Sequence, residues 1–158
     1  MRVYLVQHAE AMSEEQDPER PLTDLGREHA KRMARVAALV GVDVEEIRHS
    51  GKTRAEQTAE IMGQALSPPE GVVAVSGLAP LDDVTPAAES LEAGEKSVML
   101  VGHLPFMERL AGHLVTGGDA QPVVDFQNAG IVCLEKSDKR WQIVWIVTPE
   151  IAEVLSQV

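Results

Sequence analysis

Val3-Tyr4-Leu5-Val6-Gln7-His8-Ala9-Glu10 begins with four apolar residues and runs into a histidine. Four apolar residues bounded by polar ones have the length of a buried strand. A second run of this kind, Val98-Met99-Leu100-Val101, ends in Gly102-His103-Leu104-Pro105. In open α/β sheets, ligands bind in the crevice beyond the carboxyl ends of the strands, so the two runs predict two imidazoles delivered to one place.

Working outward, apolar runs alternate with helix-period segments, which is the signature of βαβ units and a mainly parallel sheet. Residues 9 to 22 are polar, carry Pro18 and Pro21 as breakers and read as a loop. Thr23 is a good N-cap, Asp24 suits the helix dipole, and Ala30, Met33, Ala34, Ala37 and Ala38 recur at helical spacing, so a helix runs to about Val40. A second strand is expected over Glu45 to His49, a turn at Ser50-Gly51 and a helix over Thr53 to Leu66. Then come a strand over Val72 to Val75, a loop through Pro80, Asp82 and Asp83, and a short helix near Ala87 to Ala93. After the strand at Val98, a helix over Phe106 to Val115 is closed by Gly117-Gly118, and residues 119 to 128 read as irregular.

The tail changes character. Ile131 to Glu135 and Trp141 to Val147 read as strands joined by the polar link Lys136-Ser137-Asp138-Lys139-Arg140, too short for a crossover helix, so an antiparallel hairpin is expected. Trp141, Ile143, Trp145 and Val147 are expected on one core-facing side. The fold class is therefore a single three-layer α/β/α domain spanning residues 1–158, with a mainly parallel central sheet and a C-terminal antiparallel hairpin.

Composition bounds the function. At 158 residues the chain buries roughly 68–70% of its unfolded surface and needs no disulfide staple. The lone Cys133 has no internal partner, which fits a reducing compartment, and sits in an apolar run where a structural role is expected. No apolar stretch of about 18 residues and no signal-peptide pattern occurs, so a cytoplasmic protein without membrane association is expected. The net charge of −11 repels nucleic acid and anionic membranes, so any phosphate site must be local.

Ser50-Gly51-Lys52-Thr53-Arg54-Ala55-Glu56-Gln57-Thr58 places Arg54 in the first turn of a helix at the same sheet edge as His8 and His103. Taken singly, each has an ordinary structural reading, a satisfied histidine or a solvated arginine. An arginine fork, two imidazoles and nearby helix amino termini together make a pocket suited to a phosphoryl group.

With these residues in view, the sequence resembles the histidine phosphatase superfamily with the phosphoglycerate mutase-like fold, and within it the small bacterial phosphohistidine phosphatases of the SixA type. The resemblance rests on residues 5 to 11, Arg20-Pro21-Leu22-Thr23, Ser50 through Thr58, Leu78-Ala79-Pro80, and residues 101 to 105, in that order and spacing. It implies that His8 is the nucleophile, transiently phosphorylated, and that Arg54 and His103 hold the phosphoryl oxygens in the transition state. It implies no cofactor and no metal, and no carboxylate stands at a metal-ligand spacing from either histidine. The expected partner is a phosphorylated protein, such as a phosphohistidine-bearing phosphorelay domain. A small phosphoester is the alternative, for which Asp82 and Asp83 are the carboxylates to consider as acids.

The family motif begins Arg-His-Gly, and this chain has Gln7-His8-Ala9. Gln7 replaces a bidentate charged ligand with a neutral amide. Hydrogen bonds to charged groups contribute roughly 1.5–3 kcal/mol, so about tenfold to a hundredfold in phosphate stabilisation is at stake. This departure motivates a third reading, a domain that binds phosphate or phosphohistidine without turning it over. Arg20, in the loop after His8, is the candidate to compensate, and Gln7 and Arg20 are the expected substrate-binding residues. Arg48-His49-Ser50-Gly51 mimics the motif but belongs to the second strand, and His29 and His113 fall within helix patterns, so all three histidines are read as structural.

Overall fold

A computed structural model describes residues 1–118 and 121–158. Among these residues, six strands form one mixed sheet: β1 (Arg2–Gln7), β2 (Glu46–His49), β3 (Val72–Ala74), β4 (Val98–Gly102), β5 (Ile131–Ser137) and β6 (Arg140–Val147). Their order across the sheet is β3-β2-β4-β1-β5-β6. The first four are mutually parallel, while β5 runs antiparallel to both β1 and β6. This is the expected α/β architecture with a C-terminal hairpin.

Five helices among the described residues cover the sheet: α1 (Asp24–Leu39), α2 (Thr53–Leu66), α3 (Thr85–Ala93), α4 (Phe106–Thr116) and α5 (Pro149–Leu155). Strand alternation divides the core between the two faces. Tyr4, Val6, Met99 and Val101 pack with α1, α2 and α5, whereas Val3, Leu5, Val98 and Leu100 pack with α3 and α4. The central strands β1 and β4 are therefore apolar on both sides, as strands covered on both faces must be.

The chain leaves β1 toward α1 on one face and leaves β4 toward α4 on the other. Because β1 and β4 are neighbours, their carboxyl ends flank the point where connections diverge, which opens a crevice at the sheet edge. His8 and His103 follow those two strands directly.

Two features of the tail depart from expectation. The register of the hairpin shifts between Cys133 and Leu134, so Cys133 faces Trp145 while Leu134 faces Ile143. A one-residue slip moves every side chain to the opposite face. Trp141 and Ile143 consequently pack toward α3 and α4, while Trp145 and Val147 pack toward α1 and α5, where Trp145 lies 5.9 Å from the Tyr4 ring. The hairpin link is also shorter than the polar run suggests. Ser137 pairs with Arg140, leaving Asp138 and Lys139, both at positive φ, to form a two-residue turn whose twist matches the strands.

Helix α5 follows β6 where the sequence shows no helix-length period. Its start is set locally: Thr148 caps the Ile151 amide and Pro149 occupies the first turn. Residues 121–128 are irregular, as read from the sequence, and the other two residues of the stretch expected to be irregular, 119 and 120, lie outside the described residues.

Candidate active site

His8 is held by its own neighbourhood before any ligand is considered. Its amide donates to the Gly102 carbonyl at 3.0 Å, extending the β1–β4 ladder past the last strand residue. Its carbonyl accepts from Asn128 Nδ2 at 3.0 Å and from the Ala129 amide at 3.3 Å. The ring Nδ1 lies 2.7 Å from the Ala9 carbonyl oxygen. A carbonyl only accepts, so Nδ1 carries the hydrogen and Nε2 keeps its lone pair. This acceptor is invisible in the sequence, because any residue supplies the same carbonyl.

The loop after His8 is pinned just as firmly. Thr23 caps α1 by accepting from the Gly26 amide at 3.0 Å and donates to Glu10 Oε2 at 3.1 Å, while its own amide donates to the Glu10 carbonyl. Gly26 lets the helix approach so closely that a Cβ there would stand 2.1 Å from the Glu10 carbonyl oxygen. Further along, Ala11 bridges Leu22, closing residues 12 to 21 into a small flap.

Arg20 sits near the end of that flap at φ 48°, in the left-handed region uncommon for a residue with a side chain. Its amide donates to the Asp17 carbonyl and its Nε to the Met12 carbonyl at 3.0 Å, which together hold this conformation. The guanidinium charge is felt by His8, Arg54 and His103 alike, so Arg20 belongs to the same electrostatic neighbourhood.

The His8 and His103 rings lie 5.1 Å apart between centroids, tilted by 53°. Both are buried, at 9% and 2% exposure. Burial pushes His8 down to about 4, with the Arg54 and Arg20 charges acting in the same direction and the Ala9 carbonyl opposing them. Burial pushes His103 down to about 3, joined by His8 and then by the charges of Arg54, Lys52 and Arg20. Both imidazoles are therefore neutral at pH 7. Arg54, in the first turn of α2, has its guanidinium pKa lowered by burial and by Arg20, with Glu14 opposing.

Ser50 Oγ stands 2.6 Å from His103 Nε2 and accepts from the Lys52 amide at 3.3 Å. Three buried side-chain atoms have no hydrogen-bond partner among the described residues: Gln7 Oε1, Arg54 Nε and His103 Nδ1. Orphaned buried polar atoms are rare in folded proteins, and here all three belong to residues at one edge of the sheet. Arginine and histidine nitrogens are donors of the kind that anions engage. The two ends of the Gln7 amide are interchangeable by a half-turn, so it offers either an acceptor or a donor.

The structure thus brings His8, His103, Arg54, Gln7 and Arg20 to one neighbourhood. Asp82 and Asp83 are tied up within their own loop: Asp82 Oδ2 accepts from the Ala79 amide and Asp83 Oδ1 from the Thr85 amide, both at 2.9 Å. His49 is buried and its Nδ1 accepts from the Gly51 amide at 3.1 Å, a turn-holding role that agrees with the structural reading. Ser50 and Thr58 lay within the quoted motif without an assigned role, and Asn128 lay in a stretch with no signal. A cavity of about 390 Å³ lies between α3 and β2, lined by Arg48, Leu78, Leu91 and Leu100, but it contains none of the converging donors. Phosphoryl recognition depends on donors rather than enclosed volume, so the sheet edge is the better site. Among the described residues, no cluster of three or more His, Cys, Asp or Glu side chains is placed to hold a metal ion, and no helix is long and apolar enough to cross a membrane.

Fold and donor set define an α/β protein that gathers two imidazoles and an arginine at the switch point of its sheet. Residues 3–82 match the model of the histidine phosphatase superfamily (branch 1), and the chain belongs to that superfamily. It is 30% identical over 151 residues to the phosphohistidine phosphatase SixA of Escherichia coli strain K12, covering 90% of this chain and 93% of the relative. The solved structure of the protein histidine phosphatase SixA complexed with tungstate superposes with a TM-score of 0.83 at 28% identity, covering 94% of this chain and 97% of that one. A mycobacterial glucosyl-3-phosphoglycerate phosphatase, at 18% identity and a TM-score of 0.70 over 91% of this chain and 98% of that one, shares the fold. These relationships support a phosphatase with a phosphoglycerate mutase-like fold.

Proposed function

We propose that the chain is a metal-independent phosphatase that removes phosphate from phosphohistidine on a protein, with His8 as the nucleophile. The observation that carries this reading is the His8 ring itself, buried, neutral, and fixed by the Ala9 carbonyl with Nε2 unprotonated. Nε2 attacks phosphorus in line as the bond from phosphorus to the substrate imidazole breaks, and that imidazole leaves with a proton taken from water. Water then attacks the phosphorylated His8, the new P–N bond breaks, and inorganic phosphate is released.

Arg54 and His103 stabilise the charge on the equatorial oxygens. Ser50 Oγ accepts from the Lys52 amide and donates its hydrogen to His103 Nε2, leaving the His103 hydrogen on the orphaned Nδ1, where it serves as a donor to a phosphoryl oxygen. Gln7 and Arg20 supply the remaining neutral and charged contacts. The engagement of Asp82 and Asp83 with local amides favours a substrate whose leaving group needs no strong acid, and an imidazole is such a group. The relationship to a phosphohistidine phosphatase and to a protein histidine phosphatase points the same way, toward phosphohistidine borne by a protein.

The test is a comparison of phosphate release from a phosphohistidine-bearing phosphorelay domain and from a panel of free phosphoesters. Faster turnover of the phosphohistidine domain supports the proposal. Preference for a phosphoester together with loss of activity in Asp82→Asn assigns the enzyme to small metabolites. No turnover of any substrate alongside measurable phosphate binding leaves the binding domain that Gln7 suggests.

A further inference from the structure

Helix α2 presents more than Arg54 to the site. Four residues on, Thr58 is completely buried, and its hydroxyl makes two hydrogen bonds. Oγ1 accepts from the Ala9 amide at 3.0 Å and donates to the Arg54 carbonyl at 2.8 Å. The residue whose amide it holds is the one whose carbonyl holds His8 Nδ1. A single buried hydroxyl therefore connects the backbone of the phosphoryl-binding arginine to the acceptor that fixes the nucleophile's tautomer. One residue earlier, Gln57 Oε1 accepts from the Leu22 amide at 2.8 Å and so anchors the far end of the Arg20 flap to the same helix turn.

We infer that Thr58 is a positioning residue that keeps His8 in the tautomer with hydrogen on Nδ1. The inference rests on His8 as the reacting group of the proposed phosphatase. Ala9 is itself fully buried, so its amide has no access to water as a substitute partner, and the hydroxyl is the one group holding it among the described residues. Without that bond the Ala9 N–H is orphaned in the core; Asn128 and Ala129 still hold the carbonyl end of the His8–Ala9 peptide, so relief comes by turning about the Ala9 Cα, which swings the Ala9 carbonyl, in the next peptide unit, out of line with His8 Nδ1 and lets the hydrogen redistribute between the ring nitrogens. The tautomer with hydrogen on Nε2 has no lone pair there with which to attack. Serine keeps the hydroxyl and loses only a methyl group. Valine keeps the shape and loses both hydrogen bonds.

The experiment compares Thr58→Val and Thr58→Ser by long-range ¹H–¹⁵N correlation of the His8 ring at pH 7, alongside kcat and KM. The expected result is a single Nδ1–H tautomer in the wild type and in Thr58→Ser, and a mixture of tautomers in Thr58→Val. In Thr58→Val, kcat should fall about tenfold or more while KM changes little, and Thr58→Ser should restore most of kcat. Unchanged tautomer and kcat within about twofold in folded Thr58→Val overturn the inference. If Thr58→Val does not fold, Thr58→Ala, which introduces no bulk, is read in the same way. A wild-type His8 already protonated on Nε2 overturns it without any variant. The ring spectrum is independent of turnover, so an inactive protein with a shifted tautomer in Thr58→Val sinks the phosphatase reading and leaves the role of Thr58 standing.

Discussion

Acidification is the perturbation that most directly probes the buried imidazoles. An ordinary histidine with a midpoint near 6.5 is only about 3% neutral at pH 5, whereas one with a midpoint of about 4 is about nine-tenths neutral, a difference of roughly thirtyfold in competent nucleophile. Burial is the leading cause of the His8 shift and the Arg20 charge the smallest, so Arg20→Gln should raise the midpoint only slightly, leaving it well below 6.5. The assay is a ¹H NMR titration of the ring Cε1 protons in the free protein, with His8→Asn and His103→Asn to assign those two among the five histidines and chemical denaturation at each pH to follow folding. The sign for stability follows from the same shifts. Both folded-state midpoints lie below the unfolded one, so between about 6.5 and 4 the unfolded chain takes up protons that the folded chain refuses. Stability therefore falls as pH falls through that window, by at most about 1.4 kcal/mol per pH unit for each imidazole. A His8 midpoint near 6.5 in the folded protein would refute the reasoning, because it would mean that the site is wet and the nucleophile about one-quarter charged at pH 7.

Three further outcomes follow from individual contacts. Gln7→Arg should raise kcat/KM by about tenfold to a hundredfold if a charged ligand is what the site lacks, and steady-state kinetics showing no gain would mean that Arg20 already fills that role. Gly26→Ala should destabilise the fold by about 1–3 kcal/mol in urea titration despite alanine's higher helix propensity, since its methyl would stand 2.1 Å from the Glu10 carbonyl oxygen; a stabilised variant would contradict the close packing of α1 on the His8 loop. Asp83→Asn should leave phosphohistidine turnover unchanged while lowering the melting temperature slightly, because Asp83 Oδ1 serves the Thr85 amide at the start of α3; a large fall in kcat would place it among the reacting groups.

Local patterns decided most of the architecture. Short apolar runs separated by helical periods specify a parallel sheet, and the position of His8, Arg54 and His103 at strand ends or the following turn places them on one edge. Thr23 marks a helix start by capping and Gly117 a helix end by its left-handed turn, chemistry that acts within a few residues. What escaped the sequence is what depends on partners far along the chain or on backbone atoms. The bulge that sends Trp141 and Trp145 to opposite faces depends on pairing with β5, and alternation within β6 alone points to a single face. Helix α5 is too short to display a period. The acceptor for His8 Nδ1 is a carbonyl, which leaves no trace in residue identity, and Thr58 reveals its role only when α2 is laid beside the loop after β1. Gln7 was visible as a departure from the motif, but its orphaned amide oxygen became apparent only in three dimensions.

The central claim, that His8 Nε2 carries the phosphoryl group during turnover, is tested most directly by quenching the reaction with a phosphohistidine-bearing domain in alkali and mapping the phosphate on the enzyme by mass spectrometry and ³¹P NMR. The account predicts an acid-labile, alkali-stable phosphoryl group on Nε2 of His8, formed at a rate compatible with turnover and absent from His8→Ala. Turnover that persists in His8→Ala, or a phosphoryl group found on another residue, would contradict it.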